Sequence, residues 1–408
     1  NQAGPSVILA FLFGGIIMSQ VLGAMTSITI NRPVQGSFRV YAEQFLGRFI
    51  GFLLGWMLFI SGILTLASEA IASGVFLKYW IHGVPSSLFS VMILALVTAV
   101  NLLGIRDFGD VESVMSFIKI AVMIMFISLG IFVIMTRDII VKQNPFKSFN
   151  LFFPGGILGL LKSMLIVIFT YSGISAVAMA ASDVEKPYVT IPKATVILAS
   201  GTSLLYVVSI FIVVTTVDWR TINTNISPFV QGLDNMGYGW ASTLINSVIL
   251  ISAFSVMLAS YYSCVQMLVS LTHSNEAPEI LGRCTKKGLY KYSWFVTGII
   301  SILVVLMSFV LGTKLFNYLI SSSSYFSFLN WTINLITYIL WLKNRGKDEI
   351  HDSPLIKGKT AAVITIIIIA VLFVMSLQVR DFRIGFYTAF IILLIISIMY
   401  KRKGSCDL

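Results

Sequence analysis

Six residues, Thr170-Tyr171-Ser172-Gly173-Ile174-Ser175, interrupt an apolar stretch that runs from Leu151 to Ala181. Gly and Ser at membrane depth weaken a helix and release backbone N–H and C=O groups from their ladder. Such groups cannot face lipid unpaired, so an unwound segment there must line a cavity or lie inside protein. In transporters with broken helices, peptide dipoles at mid-membrane hold a small charged solute. The same residues also suit a kinked helix with a small face for a neighbour, and their types alone leave both readings open.

Two ionisable residues sit deep inside apolar runs: Glu69 in LTLASEAIASG and Lys119 in VMSFIKIAVMIM. A charge at a helix centre costs about 2.5–3.5 kcal/mol on insertion scales, so each needs a partner or an aqueous cavity. Burial disfavours the charged form, which is the property a proton carrier needs. The competing reading is a side chain that snorkels or forms a fixed internal hydrogen bond. Lys162, near the end of its span, fits snorkelling. Ser255 and Ser321–Ser324 are hydroxyls suited to coordinating a solute or ion, or to ordinary interhelical packing. Lys119, Glu69 and Ser255 form the candidate proton-coupling set. Asp183, Glu185 and Lys186 read as a loop salt-bridge cluster or, alternatively, as a gate.

These residues need long apolar elements to position them, and the composition supplies them. The 408 residues are 57% hydrophobic and 11% charged, with a mean hydropathy of +0.92. That excludes an ordinary soluble enzyme and indicates a polytopic membrane protein in a lipid bilayer. The net charge of +11 sits in loops between spans, so membrane orientation explains it and nucleic acid is not a partner. Cys264, Cys284 and Cys406 lack metal-ligand spacing, and the three histidines are isolated, so no metal and no cofactor is expected.

The hydropathy pattern predicts eleven helices: Pro5–Ile30, Phe45–Trp80, Leu88–Leu103, Val114–Met135, Gly155–Ala181, Thr195–Val217, Trp240–Leu271, Trp294–Leu311, Leu315–Leu342, Ala361–Leu377 and Phe386–Tyr400. Asn31–Gln44 reads as a loop, and Gly47, Gly51 and Gly55 as a close-packing face. Alternate loops carry eighteen and nine Lys and Arg, which puts the richer side and the C-terminus in the cytoplasm. The two longest spans stand five helices apart and cross in opposite senses, as an inverted repeat of five helices requires. Three regions follow: 1–140, the first repeat lacking its first helix (helices two to five); 141–345, the second repeat (helices six to ten, the sixth broken near Gly173); and 346–408, two terminal helices and a tail. A further helix upstream of Asn1 is expected.

The chain resembles the amino acid permeases of the amino acid–polyamine–organocation superfamily. The resemblance is carried by Pro33-Val34-Gln35-Gly36-Ser37-Phe38, Tyr41-Ala42, Leu46-Gly47-Arg48 and Gly55-Trp56; by Asn101-Leu102-Leu103-Gly104-Ile105 with Ile118-Lys119; by Phe169 to Ser175 with Ile191-Pro192-Lys193-Ala194; and by Ala277-Pro278. It implies an all-α polytopic membrane protein with a leucine-transporter-like 5+5 inverted-repeat fold, eleven of its twelve helices present. It implies that carbonyls near Phe169 and Thr170 take the substrate amine, that N–H groups near Ile174 and Ser175 take part, and that Phe169 is an aromatic gate. Lys119 is similar to a lysine that stands in sodium's place in proton-coupled relatives, and Glu69 to an acid of one branch. The chain departs from the family pattern at Ser27 and Ser175, where Glu is usual, and at Gln266, where Arg is usual.

The resulting expectation is a cytoplasmic-membrane permease, not an enzyme, importing a small neutral amino acid with a proton by alternating access. An amino acid exchanger, a cationic amino acid or polyamine carrier, and an amino-acid sensor that does not transport remain the alternatives.

Overall fold

The structure is a computed structural model that describes residues 3–32, 38–102, 108–136, 146–174, 187–222, 226–285, 288–312 and 314–404. Its helices are α1 (Val7–Asn31), α2 (Phe38–Leu46), α3 (Arg48–Leu77), α4 (Ser86–Leu102), α5 (Phe108–Thr136), α6 (Phe149–Phe152), α7 (Gly156–Thr170), α8 (Pro187–Thr216), α9 (Pro228–Asn235), α10 (Gly239–His273), α11 (Lys291–Leu306), α12 (Ser308–Leu311), α13 (Lys314–Lys343), α14 (Gly358–Ser376) and α15 (Arg380–Gly404). Among the described residues nine helical segments are long and apolar enough to cross a membrane, and α4 is apolar but shorter. α13 has the length but carries Ser321–Ser324, Ser327, Asn330 and Asn334, all of them buried. Every apolar span read from the sequence thus has a helix in it, although residues 175–181 of the span Gly155–Ala181 lie outside the described residues, and the fold is that of an all-α polytopic membrane protein.

Three local readings are corrected. The later part of the expected loop Asn31–Gln44 is in fact helical: it belongs to α2, whose Phe38, Tyr41 and Ala42 are buried beside Arg39. Gly47 belongs to no packing face: its φ of 96° turns the chain between α2 and α3, a conformation open to glycine. Gly51 does serve close packing, because a Cβ there would come within 2.7 Å of the Glu43 Cβ. The third difference is at α8, which starts at Pro187 and so contains Pro192.

The chain divides into two compact units, each assembled from segments distant in sequence. In the unit of 1–8, 59–159 and 205–320, α10 packs on α4, α5, α9 and α11. Phe126 and Val133 of α5 join Ile212, Val213, Val230, Leu233 and Ile245 in one buried apolar cluster. A small residue also brings α3 against α10: a Cβ at Gly62 would come within 2.4 Å of the Cys264 sulfur. Asn246 donates to the Phe76 carbonyl at 3.0 Å, tying α10 to the end of α3.

In the unit of 9–58, 160–204 and 321–408, the segment between α13 and α14 is strapped to α1. Gln20 donates to the Leu355 carbonyl at 2.8 Å, Asn31 to the His351 carbonyl at 2.7 Å, and the Ser353 N–H to the Ser27 hydroxyl at 3.0 Å. Arg32 pairs with Glu349, which also accepts from the Trp341 indole at 3.1 Å and the Gly346 N–H at 3.0 Å. Burial alone would push the Glu349 carboxyl up, but the hydrogen bonds from Arg32 and Gly346, with the charge of Arg32, outweigh it and hold the carboxyl below its ordinary value of 4.5.

A carboxylate with a lowered folded-state pKa stabilises the fold above its unfolded value and loses that contribution as pH falls through the folded one. The strap should therefore weaken below about pH 4.5. Glu349→Gln should cost about 1–3 kcal/mol at neutral pH, the range for stranding a charged hydrogen-bonding partner, and should flatten the acid limb. Thermal unfolding in detergent as a function of pH reads both; an acid limb identical in the variant would count against this account.

Candidate substrate and proton sites

The α-helical ladder of α7 stops at Thr170, and Ser172–Ile174 form a single 3-10 turn. The carbonyls of the last α-helical turn therefore lack the donors that a continuing helix would supply. Part of this need is met locally: the Thr170 hydroxyl donates to the Val167 carbonyl at 2.6 Å, and the Tyr171 N–H to the Ile168 carbonyl at 3.1 Å. Tyr171 is buried, and its hydroxyl donates to the Phe11 carbonyl of α1 at 3.0 Å. Phe11 and Tyr171 also meet edge to face, ring centroids 6.4 Å apart.

The sequence of α1 explains how α7 and α8 can come so near. A Cβ at Gly14 would lie 2.8 Å from Val167 and 3.1 Å from the Tyr171 ring, and one at Gly15 would lie 2.4 Å from the Ser203 hydroxyl. Gly173 is different. It is exposed, and a Cβ there would meet nothing within 4 Å. Phe169 and Ser172 are partly buried, Thr170 is exposed and Ile174 is buried. Ser175 lies outside the described residues, as do Asp183, Glu185 and Lys186 and the signature residues Pro33–Ser37 and Leu103–Ile105.

The candidate proton set lies in the other unit. Lys119 of α5 donates to the Ser255 hydroxyl of α10 at 2.6 Å and to Glu112 Oε1 at 3.1 Å. Ser255, fully buried, donates in turn to the second Glu112 oxygen. Three side chains thus close a ring that joins α5 to α10. Glu69 of α3 is partly buried; it has no hydrogen-bond partner among the described residues, and the Lys119 charge acts on it.

Of the three residues singled out from sequence, then, Lys119 and Ser255 touch, and Glu69 joins them only electrostatically. Glu112 was missed. It stands outside the span Val114–Met135 and so read as a loop charge. The available signal was its spacing: Glu112 and Lys119 are two helical turns apart and share a face. Of the serines at Ser321–Ser324, all are buried in α13. Among the described residues no group of His, Cys, Asp and Glu could hold a metal ion.

Comparison with known proteins agrees with this architecture. A profile of the amino acid permease family matches residues 1–404. The chain is 28% identical to the gamma-aminobutyric acid permease of Bacillus subtilis, over 99% of this chain and 88% of that protein. It is 30% identical to the amino-acid permease RocC of the same organism, over 81% and 72% of the two chains. It is 27% identical to the uncharacterized amino acid permease YvbW, also from Bacillus subtilis, over 99% and 91%. Among solved structures, a manganese transporter of Eremococcus coleocola, crystallised as a mutant, superposes with a TM-score of 0.61 at 13% identity, covering 98% of this chain and 87% of that one. At that identity the likeness concerns the fold alone, which is leucine-transporter-like. With a family profile spanning nearly every residue and relatives aligned over most of their length, the chain belongs to the amino acid permease family.

Proposed function

We propose that this permease imports a small neutral amino acid together with a proton, by alternating access across the cytoplasmic membrane, with its C-terminus on the cytoplasmic side. The observation that carries the reading is the end of α7 at Thr170 inside an apolar span, followed by Gly173 beside open space. Within 156–174 the only ionisable side chains are Lys162 and Tyr171, so peptide dipoles from Phe169 to Ile174, with Ser175 following, would read the amine and carboxylate. A solute with a charged side chain would find no fixed counter-charge in that stretch. The gamma-aminobutyric acid named for one relative is a zwitterion of this kind.

Proton coupling rests on Lys119, a cation inside an apolar span whose partners Ser255 and Glu112 hold it in place, with Glu69 as the additional acid on α3. The excess of Lys and Arg on alternate loops supports the orientation.

The reading is tested by uptake into proteoliposomes from the full-length protein under an imposed pH gradient, with no amino acid inside. Lys119→Ala should lower gradient-driven accumulation by about a hundredfold, the lower end for losing a positioned proton-transfer group. Undiminished accumulation would remove Lys119 from the coupling, and uptake only against internal amino acid would make the protein an exchanger. Gly173→Val should leave the thermal midpoint within about 2 °C, because its side chain enters open space, yet weaken substrate binding about tenfold by filling the place of the solute. Normal affinity in that variant would place the binding site elsewhere.

A further inference from the structure

Glu112 lies on the turns of α5 nearest the helix start, and Lys119 stands seven residues further in, about 10.5 Å along the axis at 1.5 Å per residue. Side chains on a helix lean toward its N-terminus, so the Lys119 chain runs back toward the membrane face at which α5 begins. Its Nζ meets Glu112 Oε1 at 3.1 Å, and Ser255 of α10 bridges the same two groups from the side. The Ser116 hydroxyl adds a longer contact to Oε1 at 3.4 Å. Ser255 is sealed from the surroundings at 0% exposure, whereas the Lys119 side chain keeps 24% and the Glu112 side chain 30%. The serine is the buried member of the ring, and the carboxylate is the member nearest the start of α5.

We propose that Glu112 is the acceptor through which Lys119 releases its proton at the membrane face where α5 begins, with Ser255 holding donor and acceptor in register. The inference rests on the proton-coupled reading above and gives it an exit group. In the step, an N–H bond of the Lys119 ammonium breaks and an O–H bond forms at Glu112 Oε1. The ion pair becomes an amine and a carboxylic acid, so no net charge is created in the apolar span. Glu112 then passes the proton to water and returns to carboxylate.

Among the described residues few other groups compete for this proton. α10 holds no Asp, Glu, Lys or Arg between Gly239 and His273. Its Tyr261 hydroxyl is engaged by the Trp294 carbonyl and its Cys264 thiol by the Phe59 carbonyl. Tyr262 and His273 lie farther along the helix. From α3 the charged group is Glu69, on which Lys119 acts.

The test uses the full-length permease in proteoliposomes, with an equimolar mixture of the twenty standard amino acids, each radiolabelled, as the probe. Accumulation under a pH gradient is measured across external pH of about 5.5 to 8, the range in which a coupled proton site has to titrate. Glu112→Gln should lower accumulation at least about tenfold and flatten the pH profile, and Glu112→Asp should recover a large part of both. A uniform loss at every pH with the wild-type profile would mean a structural contact only and would overturn the inference. Should Glu112→Gln not yield folded protein by size-exclusion chromatography, Ser255→Ala takes its place; it should shift the profile about threefold in the same direction, and an unshifted profile overturns the inference. Wild-type protein that does not accumulate under the gradient defeats the proton-coupled reading itself. Wild-type accumulation that Lys119→Ala abolishes and Glu112→Gln leaves untouched defeats the exit group alone.

Discussion

Inside a bilayer a peptide group has only protein to bond to, and this requirement bears directly on the end of α7. Where α7 stops, two bonds take up part of what the ladder gives up, Thr170 to Val167 and the Tyr171 N–H to Ile168, and a third, from the Tyr171 hydroxyl to the Phe11 carbonyl, fixes that end against α1. The last of these is long-range and depends on α1 carrying Gly14 and Gly15 where larger residues would collide with Val167, Tyr171 and Ser203. A helix end within the span is thus stabilised from outside by a neighbour with almost no side-chain bulk. At Gly173 itself a Cβ would meet nothing within 4 Å.

The second constraint is charge. A lone ammonium in an apolar span is costly, and Lys119 offsets the cost with a carboxylate and a hydroxyl. The arrangement is conditional, since each bond of the ring presupposes a particular protonation state. Passing one proton from Lys119 to Glu112 would dissolve the ion pair and leave only neutral hydrogen bonds, roughly half as strong. Ser255 is the one member on α10, so any such change alters the tie between α5 and α10 directly.

Much of this was legible in the sequence because hydropathy and the cost of buried charge are strong, local signals. The apolar spans, the interruption near Gly173 and the isolation of Lys119 and Glu69 all come from that source. What stayed hidden depended on tertiary partners. Glu112 looked like a loop charge because a hydropathy window ends where charges begin, although the helix starts at Phe108. α2 looked like a loop because Arg39 and Glu43 dilute its apolar face, although Phe38, Tyr41 and Ala42 are buried. Gly47 fitted a spacing of four by coincidence with its role as a turn. The strap of 344–357 on α1 carried no signal at all, because it is made by backbone groups as much as by side chains.

Hydroxyls show how the two kinds of information combine. Serine and threonine in membrane helices are common, and most here do something local: Ser27, Ser90, Thr98, Thr216, Ser252 and Thr365 each donate to the carbonyl four residues back. That bond uses the hydroxyl's proton within its own helix. Ser255 lies one turn from Ser252 on the same helix, in an equally apolar setting, yet it gives its proton to a carboxylate on α5 and accepts from a lysine there. The sequence cannot distinguish the two serines, because both are small polar residues in an apolar run. The distinction comes from what stands opposite each one, and a hydroxyl that forgoes its own backbone for an ion pair two helices wide is bound to the charge state of that pair.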